Sequence, residues 1–279
     1  MSATMVEPQV RQTRQTPQGR ETRETPQFRE TPEVRETKAL QQSADGRRAA
    51  WWAARELRDA DAWDILAWGF DHFGPGLAIA SSMADTVLPH LASRVFAATV
   101  RPELQGAGVQ VLFLDTGYHF AETLTTRDDV HRRLPVTVNN VTPRLSVEQQ
   151  DARMGRDLFA RDAAACCRMR KVEPLQEALT GFAAWASGLR RADSPTRAQA
   201  PVISWDERHG IVKLNPLAAW SDEQVSAYIA AHDVPVNPLI AQGYPSIGCG
   251  PCTLRPLFGA DPRSGRWAGS AKTECGLHS

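Results

Sequence analysis

The stretch Gly76-Leu-Ala-Ile-Ala-Ser-Ser-Met-Ala-Asp-Thr86 decides the fold. Its apolar first half is typical of a buried strand, and its small polar second half leads into a helical pattern through Val87, Leu88 and Leu91. A strand, a small polar loop and a helix in that order are how α/β folds present backbone N–H groups and hydroxyls to a phosphate. The stretch therefore predicts an α/β protein with a ligand-binding loop, although turns of this kind occur throughout that class.

A second apolar run, Val109-Gln-Val-Leu-Phe-Leu114, ends in Asp115-Thr-Gly-Tyr-His119. Polar residues and a glycine at the carboxyl end of a buried parallel strand lie where open α/β sheets bind ligands. A helical stretch and a third short strand, 136–138, follow, and this repetition of strand and helix predicts a doubly wound parallel sheet flanked by helices. Further along, residues 202–214 read as a hairpin-like pair of strands, and Ser221 is placed to cap a helix.

The composition excludes two broad functional classes. The chain has 279 residues, 42% of them hydrophobic, and a formal net charge of zero, which argues against a general nucleic-acid-binding surface. No apolar run is long enough to span a membrane, and the polar N-terminus lacks the apolar core of a secretory signal. We therefore expect a cytoplasmic protein that binds neither nucleic acid nor a membrane.

The N-terminal 48 residues differ from the rest of the chain. They repeat a short unit, seen in Arg23-Glu-Thr-Pro26 and Arg29-Glu-Thr-Pro32, and they contain almost nothing apolar to bury. Repeated prolines break helices, so we expect a disordered low-complexity tail over 1–48. Two amphipathic helices then open an α/β domain over 49–260, and a C-terminal segment over 261–279 completes the chain.

All five cysteines fall in three places: Cys166-Cys167, Cys249-Gly-Pro-Cys252 and Cys275. Intracellular thiols stay reduced, so two tight pairs from separate segments indicate one metal centre rather than disulfides. Zinc and an iron–sulfur cluster both accept four thiolates. Adjacent cysteines suit a single small ion poorly because neighbouring side chains diverge, whereas a cluster of several irons can accept both. The spacing favours an iron–sulfur cluster, with zinc and incidental buried thiols as alternatives and Cys275 as a free thiol.

Basic residues accompany these cysteines. The segment from Asp162 to Pro174 reads as a helix on which Lys171, four residues beyond Cys167, shares the face that carries the sulfurs. A cation there would offset thiolate charge and could meet an anionic substrate; an ordinary surface lysine is the alternative. After a predicted strand near 183–187, we expect an oxyanion clamp made of Arg190, Arg191 and Arg197 with Ser194 and Thr196. A solvated charge run is the alternative for that loop.

Six motifs follow one another along the chain: Leu114-Asp-Thr-Gly117, Cys166-Cys167-Arg-Met-Arg-Lys171-Val, Gly188-Leu-Arg-Arg191, Cys249-Gly-Pro-Cys252-Thr, Gly265-Arg-Trp267 and Glu274-Cys275-Gly-Leu-His278. In this order they resemble the assimilatory adenylyl-sulfate reductases, the iron–sulfur branch of the adenylyl-sulfate and phosphoadenylyl-sulfate reductase family. The resemblance runs from about residue 50 to the end. It implies an adenine nucleotide α-hydrolase-like fold of the pyrophosphate-loop type with a mobile C-terminal tail.

The resemblance also implies a cofactor and a reaction. The four paired cysteines would hold a [4Fe–4S] cluster with a structural and electrostatic role, and Cys275 would be the nucleophile. Its thiolate would attack the sulfur of adenosine 5′-phosphosulfate, release AMP and keep the sulfonate as an S-sulfonate. Thioredoxin or a similar dithiol donor would then release sulfite through a mixed disulfide. A nucleophile that meets both a small substrate and a protein suits a position near the chain end.

The resemblance assigns the substrate contacts as well. Ser81, Ser82 and Asp85 resemble a modified pyrophosphate loop, which here lacks the glycine found in many relatives. Leu114, Asp115, Thr116 and Gly117 resemble the segment that holds the adenosine portion. The phosphosulfate would be neutralised by Lys171 and by the loop that begins at Gly188, with Arg190, Arg191, Arg197, Arg263 and Arg266, and His278 would join the cations beside Cys275.

Other interpretations stay open. A reductase for 3′-phosphoadenosine 5′-phosphosulfate, or an enzyme that accepts both substrates, is the nearest alternative, and the two cysteine pairs favour the unphosphorylated substrate. An ATP-dependent adenylating enzyme would need a Ser-Gly-Gly-x-Asp type of loop and a basic RNA face, and a zinc-stabilised binding module would leave Cys275 without a role. The sequence leaves open whether the protein is a homo-oligomer.

Overall fold

The computed structural model describes residues 44–100, 102–268, 272 and 274–277. Most of the predicted tail over 1–48 lies outside these residues and stays a prediction. The described chain begins with helix α1 (Ala44–Glu56), a few residues before the predicted start of the folded domain. None of the helices in the described ranges combines the length and the apolar character that crossing a bilayer requires.

One six-stranded sheet forms the centre of the molecule. Its strands are β1 (Leu77–Ala80), β2 (Val109–Leu114), β3 (Val136–Val141), β4 (Ala184–Ser187), β5 (Ile203–Asp206) and β6 (Ile211–Leu214). Their order is β3-β2-β1-β4-β6-β5, and every neighbouring pair is parallel except β5 and β6. The central strands read as continuous apolar runs because both of their faces are covered. The predicted doubly wound sheet and the predicted hairpin at its edge are confirmed.

Helices pack against both faces of this sheet. After α1 the described helices are α2 (Ala62–Phe73), α3 (Val87–Thr99), α4 (Pro102–Gln105), α5 (Ala121–Arg133), α6 (Val147–Met154), α7 (Leu158–Arg161), α8 (Ala163–Cys167), α9 (Glu173–Leu179) and α10 (Asp222–His232). Helix α10 begins as predicted, because the Ser221 side chain accepts a hydrogen bond from the Gln224 backbone and the Gln224 side chain accepts one from the Ser221 backbone.

The two faces are buried in different ways. Helices α1, α2 and α3 cover one face with a large apolar cluster that includes Leu66 and Phe70. On the opposite face a smaller cluster joins Leu175 and Leu179 of α9 to Trp185 of β4, and Leu277 of the C-terminal segment packs against it. The end of the chain therefore covers part of the second face.

The chain reverses its winding direction at the centre of the sheet. Strand β1 lies between β2 and β4, so the chain reaches β2 and β3 on one side and β6 and β5 on the other. Loops that leave the carboxyl ends of β1, β2 and β4 meet at this switch point, where open α/β sheets bind ligands. These loops are residues 81–86, 115–120 and 188–202.

A π-helical turn, Arg168–Val172, joins α8 to α9. The predicted end of this helix at Pro174 is wrong, because helical structure continues to Leu179. Pro174 falls in the first turn of α9, where the missing N–H of proline is tolerated. This π-helical stretch holds one more residue than the same length of α-helix would, and it lies between the cysteine pair and the part of the helix that packs on the sheet.

Candidate active site

The four paired cysteines line one cavity. Cys166 and Cys167 are buried at the end of α8, Cys249 directly precedes the tight turn Gly250–Cys252, and Cys252 is the last residue of that turn. The other lining residues are Tyr118, Phe159, Ala163, Arg170, Lys171, Pro251 and Trp267. All five cysteines carry free thiols. The fold thus brings together the two cysteine pairs that the sequence predicts to share a centre.

The loop after β2 holds the second cysteine pair in place. His119 and Cys249 form an isolated β-bridge, and the Gly250 backbone N–H donates to the Tyr118 carbonyl at 2.7 Å. The hydroxyl of the fully buried Thr116 lies 3.3 Å from the Cys249 sulfur. Thr116, predicted to lie beside adenosine, therefore contacts a cysteine of the cavity.

Arg170 is a site residue that sequence reasoning missed. It is buried in the π turn, donates from Nε to the Thr116 carbonyl at 2.8 Å and from Nη1 to the Leu145 carbonyl at 3.1 Å, and stacks on Tyr118. Gly117 beside it has a φ of +74°, and a Cβ there would lie 3.3 Å from the Arg170 guanidinium. Arg170 thus fastens the cysteine helix to the loop after β2; its only signal was its place in the Arg-Met-Arg-Lys motif.

Burial and mutual repulsion disfavour thiolates in this cavity. Burial, reinforced by the charges of neighbouring cysteines, raises the pKa of Cys166 to about 12 and that of Cys252 to about 11. Burial also raises the pKa of Cys167, while Lys171 acts in the opposite direction. A cationic centre removes this repulsion, so four thiols around one cavity, three of them buried, suit an iron–sulfur cluster chemically. Among the described residues, no group of three or more His, Cys, Asp or Glu side chains is arranged to hold a metal ion.

Lys171 faces both the cavity and the C-terminal cysteine. Burial acts to lower its pKa, but the charges of Cys249 and Cys275 outweigh burial and raise it. Lys171 therefore remains protonated in the wall of the cysteine cavity, within electrostatic range of Cys275.

Arg266 is the second cation at this place. Its Nη1 donates to Ser246 Oγ and to the Ile247 carbonyl, both at 3.2 Å, and its guanidinium lies 4.6 Å from the Trp267 ring centroid. Burial, with nearby Arg263, lowers its pKa, while the charge of Cys275 acts to raise it. The buried Nε has no hydrogen-bond partner in the described structure. Arg266 therefore has an N–H without a hydrogen-bond partner, and an anion near Cys275 can accept a hydrogen bond from it.

The loop after β1 is held by its own side chains. Ser81 Oγ accepts a hydrogen bond from the Met83 backbone at 3.2 Å, and Asp85 accepts one from the Val87 backbone at 3.0 Å. Ser82 lies exposed between them. Burial raises the pKa of Asp85, and Arg190 of the loop after β4 opposes this change. The charge of Arg190 therefore acts on Asp85 across the switch point.

Most of the predicted oxyanion clamp is engaged with protein groups. Arg190 forms ion pairs with Asp193 and Asp222, and Arg191 donates to the Ala200 carbonyl at 2.9 Å. Arg197 pairs with Asp193, and both Arg197 and Arg263 bind the Glu274 carboxylate. A Cβ built at Gly188 would meet no atom within 4 Å, so the backbone there borders open space.

Cys275 lies half-buried in a docked C-terminal segment, residues 274–277. Glu274 precedes it, and the Gly276 carbonyl after it accepts a hydrogen bond from Arg208. The predicted substrate residue His278 lies outside the described residues. The charge of Cys275 acts on both Lys171 and Arg266, so the free thiol and the two cations belong to one site.

Lys213 is another site residue that sequence reasoning missed. It is buried on β6 among apolar residues, with its ammonium 4.7 Å from the centroid of the Trp185 ring. Burial lowers its pKa to about 8, and the charges of Asp206 and Cys275 act in the opposite direction. A lysine inside the apolar run Ile211-Val-Lys-Leu214 is the signal that could have identified it.

Comparisons with known proteins identify the family of this chain. Residues 75–255 match the phosphoadenosine phosphosulfate reductase domain. The adenosine 5′-phosphosulfate reductase of Mycolicibacterium smegmatis is 56% identical, over 81% of this chain and 91% of that protein. The protein of the same name from Rhodococcus opacus is 51% identical, over 84% of this chain and 95% of that protein.

Solved structures show the same fold. A phosphoadenylyl-sulfate reductase from Candida auris, in its phosphate complex, has a TM-score of 0.62 and 28% identity, and the match covers 74% of this chain and 96% of that chain. Candida glabrata FMN adenylyltransferase has a TM-score of 0.51 and 14% identity over 80% of this chain and 71% of that chain, and so shares the fold alone. The predicted fold class is therefore confirmed, and by its sequence match the chain belongs to the phosphoadenosine phosphosulfate reductase family.

Proposed function

We propose that this protein reduces adenosine 5′-phosphosulfate to sulfite and AMP in assimilatory sulfate reduction for cysteine biosynthesis. The names of its relatives support this substrate. The observation that carries the proposal is that the Cys275 thiol, in the docked C-terminal segment, lies within electrostatic range of two cations, Arg266 and Lys171, the latter in the wall of the cysteine cavity. A nucleophile and fixed positive charges are what transfer of a sulfonate group from a phosphosulfate requires.

In the first half-reaction the Cys275 thiolate attacks the sulfur of the substrate. A bond forms between the two sulfurs, the bond between sulfur and the phosphate oxygen breaks, and AMP leaves with the electron pair. Lys171 and the unused Nε–H of Arg266 are suited to neutralise the charge that grows on the leaving phosphate. Cys275 is left as an S-sulfonate.

In the second half-reaction a thiolate of thioredoxin, or of a similar dithiol protein, attacks the Cys275 sulfur. Sulfite leaves with the electron pair of the bond between the sulfurs, and a mixed disulfide forms. The second thiol of the donor resolves this disulfide and restores the Cys275 thiol, so the dithiol supplies both electrons. The segment 261–279 then serves as the part of the chain that presents the nucleophile.

A [4Fe–4S] cluster on Cys166, Cys167, Cys249 and Cys252 is part of the proposal. When bound, the cluster would supply the iron core that offsets the charge of the four thiolates and would cross-link the cysteine helix to the turn that carries the second pair. The need to keep these thiols reduced supports a cytoplasmic location.

The test uses anaerobically purified, iron-loaded protein with adenosine 5′-phosphosulfate and reduced thioredoxin. We expect sulfite and AMP in equal amounts, with about four iron and four sulfide per chain. The Cys275→Ser variant is the matched control: it should keep the iron and form no sulfite. Faster turnover of the 3′-phosphorylated substrate would favour the alternative activity instead, and sulfite from the Cys275→Ser variant would refute the role of Cys275.

A further inference from the structure

We propose that Glu274 is the positioning residue for Cys275, and that Arg197 and Arg263 hold its carboxylate when the C-terminal segment is docked. This inference rests on the proposed function, in which Cys275 is the nucleophile. It assigns the C-terminal segment an anchor of its own, independent of the substrate.

The carboxylate of Glu274 is bound on both of its oxygens. Arg197 donates from Nε to Oε1 at 2.9 Å and from Nη2 to Oε2 at 2.8 Å, and Arg263 donates from Nη2 to Oε2 at 3.1 Å. Thr196 adds a longer contact to Oε1 at 3.3 Å. A two-point contact between guanidinium and carboxylate fixes direction as well as distance, so it orients the backbone that follows Glu274.

These contacts are sheltered from solvent. The side chains of Arg197 and Arg263 are 12% and 14% exposed, and that of Glu274 is 22% exposed. Burial acts to raise the pKa of Glu274, but the hydrogen bond and charge of Arg197 outweigh it and lower the pKa. The carboxylate is therefore ionised at neutral pH and fully engaged.

A second anchor lies on the other side of the nucleophile. Leu277 packs against the apolar cluster that contains Trp185, and Arg208 donates to the Gly276 carbonyl. Cys275 directly follows Glu274 and lies two residues before Leu277. With both ends held, its thiol can take up only a narrow range of positions, which is the condition for an efficient attack on a bound substrate.

The same contacts change the assignment of the basic residues. The two-point contact of Arg197 and the contact of Arg263 direct three of their donors to Glu274. Lys171 and the Nε of Arg266, which has no hydrogen-bond partner in the described structure, are cations suited to the substrate. Glu274 and its two arginines should therefore affect turnover, whereas the substrate cations should affect both binding and turnover.

The test measures alkylation of Cys275 by iodoacetamide in the iron-loaded protein, followed on the Cys275 peptide by mass spectrometry. Two variants, Glu274→Gln and Arg197→Gln, each release the anchor. We expect both to raise the alkylation rate about tenfold, because a charged pair of hydrogen bonds is lost. Glu177→Gln, which breaks the exposed pair with Arg144, is the matched control and should leave the rate unchanged.

The two variants separate positioning from electrostatics. Loss of the negative Glu274 favours the Cys275 thiolate, whereas loss of the positive Arg197 disfavours it, so a purely electrostatic role predicts rate changes of opposite sign. Opposite signs, or no change in either variant, would overturn the proposal. Alkylation needs no sulfite formation, so this result stands even if the proposed activity fails.

Steady-state kinetics give the second measurement. We expect Glu274→Gln and Arg197→Gln to lower kcat by similar factors with KM for adenosine 5′-phosphosulfate unchanged within about twofold. The kcat of the double variant should be no lower than that of either single variant, since each of the three variants removes the same contact between Arg197 and Glu274. A rise of tenfold or more in KM for Arg197→Gln, with kcat intact in Glu274→Gln, would return Arg197 to the substrate and refute the assignment.

Discussion

Gly248 controls where the Arg266 guanidinium can lie. A Cβ built at Gly248 would approach Arg266 Nη2 to 2.2 Å and Cζ to 2.5 Å. To reach ordinary contact at 3.4 Å, Nη2 would have to retreat by about 1.2 Å (3.4 minus 2.2). The Gly248→Ala substitution therefore displaces a substrate cation without removing its charge.

The expected cost follows from that distance. A misplacement of about 1 Å in a group that binds the reacting centre costs about 100-fold in rate, or about 2.7 kcal/mol of transition-state stabilisation. We expect kcat/KM for adenosine 5′-phosphosulfate to fall by this factor in Gly248→Ala, while the iron content stays at the wild-type level. Gly106→Ala is the matched control, because a Cβ there meets no atom within 4 Å.

A double-mutant cycle decides whether the effect acts through Arg266. In the Arg266→Ala background the added methyl group meets no guanidinium, so Gly248→Ala should cost nothing further. Full activity of the single variant at full iron content would show that the position of Arg266 is unimportant. An equal loss of kcat/KM in both backgrounds would show that Gly248→Ala does not act through Arg266.

Three further predictions concern separate parts of the molecule. Cys275→Ser should abolish sulfite production yet retain iron and nucleotide binding; loss of its brown colour would contradict the division of roles among the cysteines. For Lys213 the folded-state pKa of about 8 lies below the usual lysine pKa of 10.5, so its protonation opposes folding fully below pH 8, and this cost disappears as the pH rises to 10.5. Relative to Lys213→Met, the wild-type protein should gain about 3 kcal/mol of unfolding free energy across that window in urea titrations, and a constant difference would refute the burial argument. Ser221→Ala removes the cap of α10 and should cost about 1 kcal/mol in the same titrations, whereas an unchanged midpoint would show that the cap contributes nothing.

The parallel sheet could be predicted because its signals are local. The apolar run of β2 is bounded by glycine before and by polar residues after, and burial on both faces of a parallel strand selects such a run. Ser221 was predictable for the same reason, since a capping box needs only residues three apart. The convergence of the cysteine pairs was predicted from chemistry, because a zinc ion or an iron–sulfur cluster takes four thiolate ligands and two pairs supply four.

Contacts between distant side chains could not be predicted in this way. The sequence identifies Arg197 and Arg263 as cations but does not say which anion each one meets, and Glu274 lies 77 residues from Arg197 along the chain. Lys171 was placed on the cysteine face by assuming regular α-helical spacing. The structure has a π turn there instead, and nothing in the order of residue types distinguishes a π turn from an α-helix before the tertiary contacts are known.

That π turn has a consequence for comparing related chains. Each residue of an α-helix turns the chain by about 100°, so deleting one residue between Arg168 and Val172 would restore regular winding and rotate the cysteine pair by about that angle relative to Leu175. All five cysteines would remain in such a chain, yet Cys166 and Cys167 would face away from the second pair. The number of residues between Cys167 and Leu175 is therefore a stricter marker of an intact centre than the presence of the cysteines. Substitution libraries keep the chain length constant, so they would never reveal this requirement.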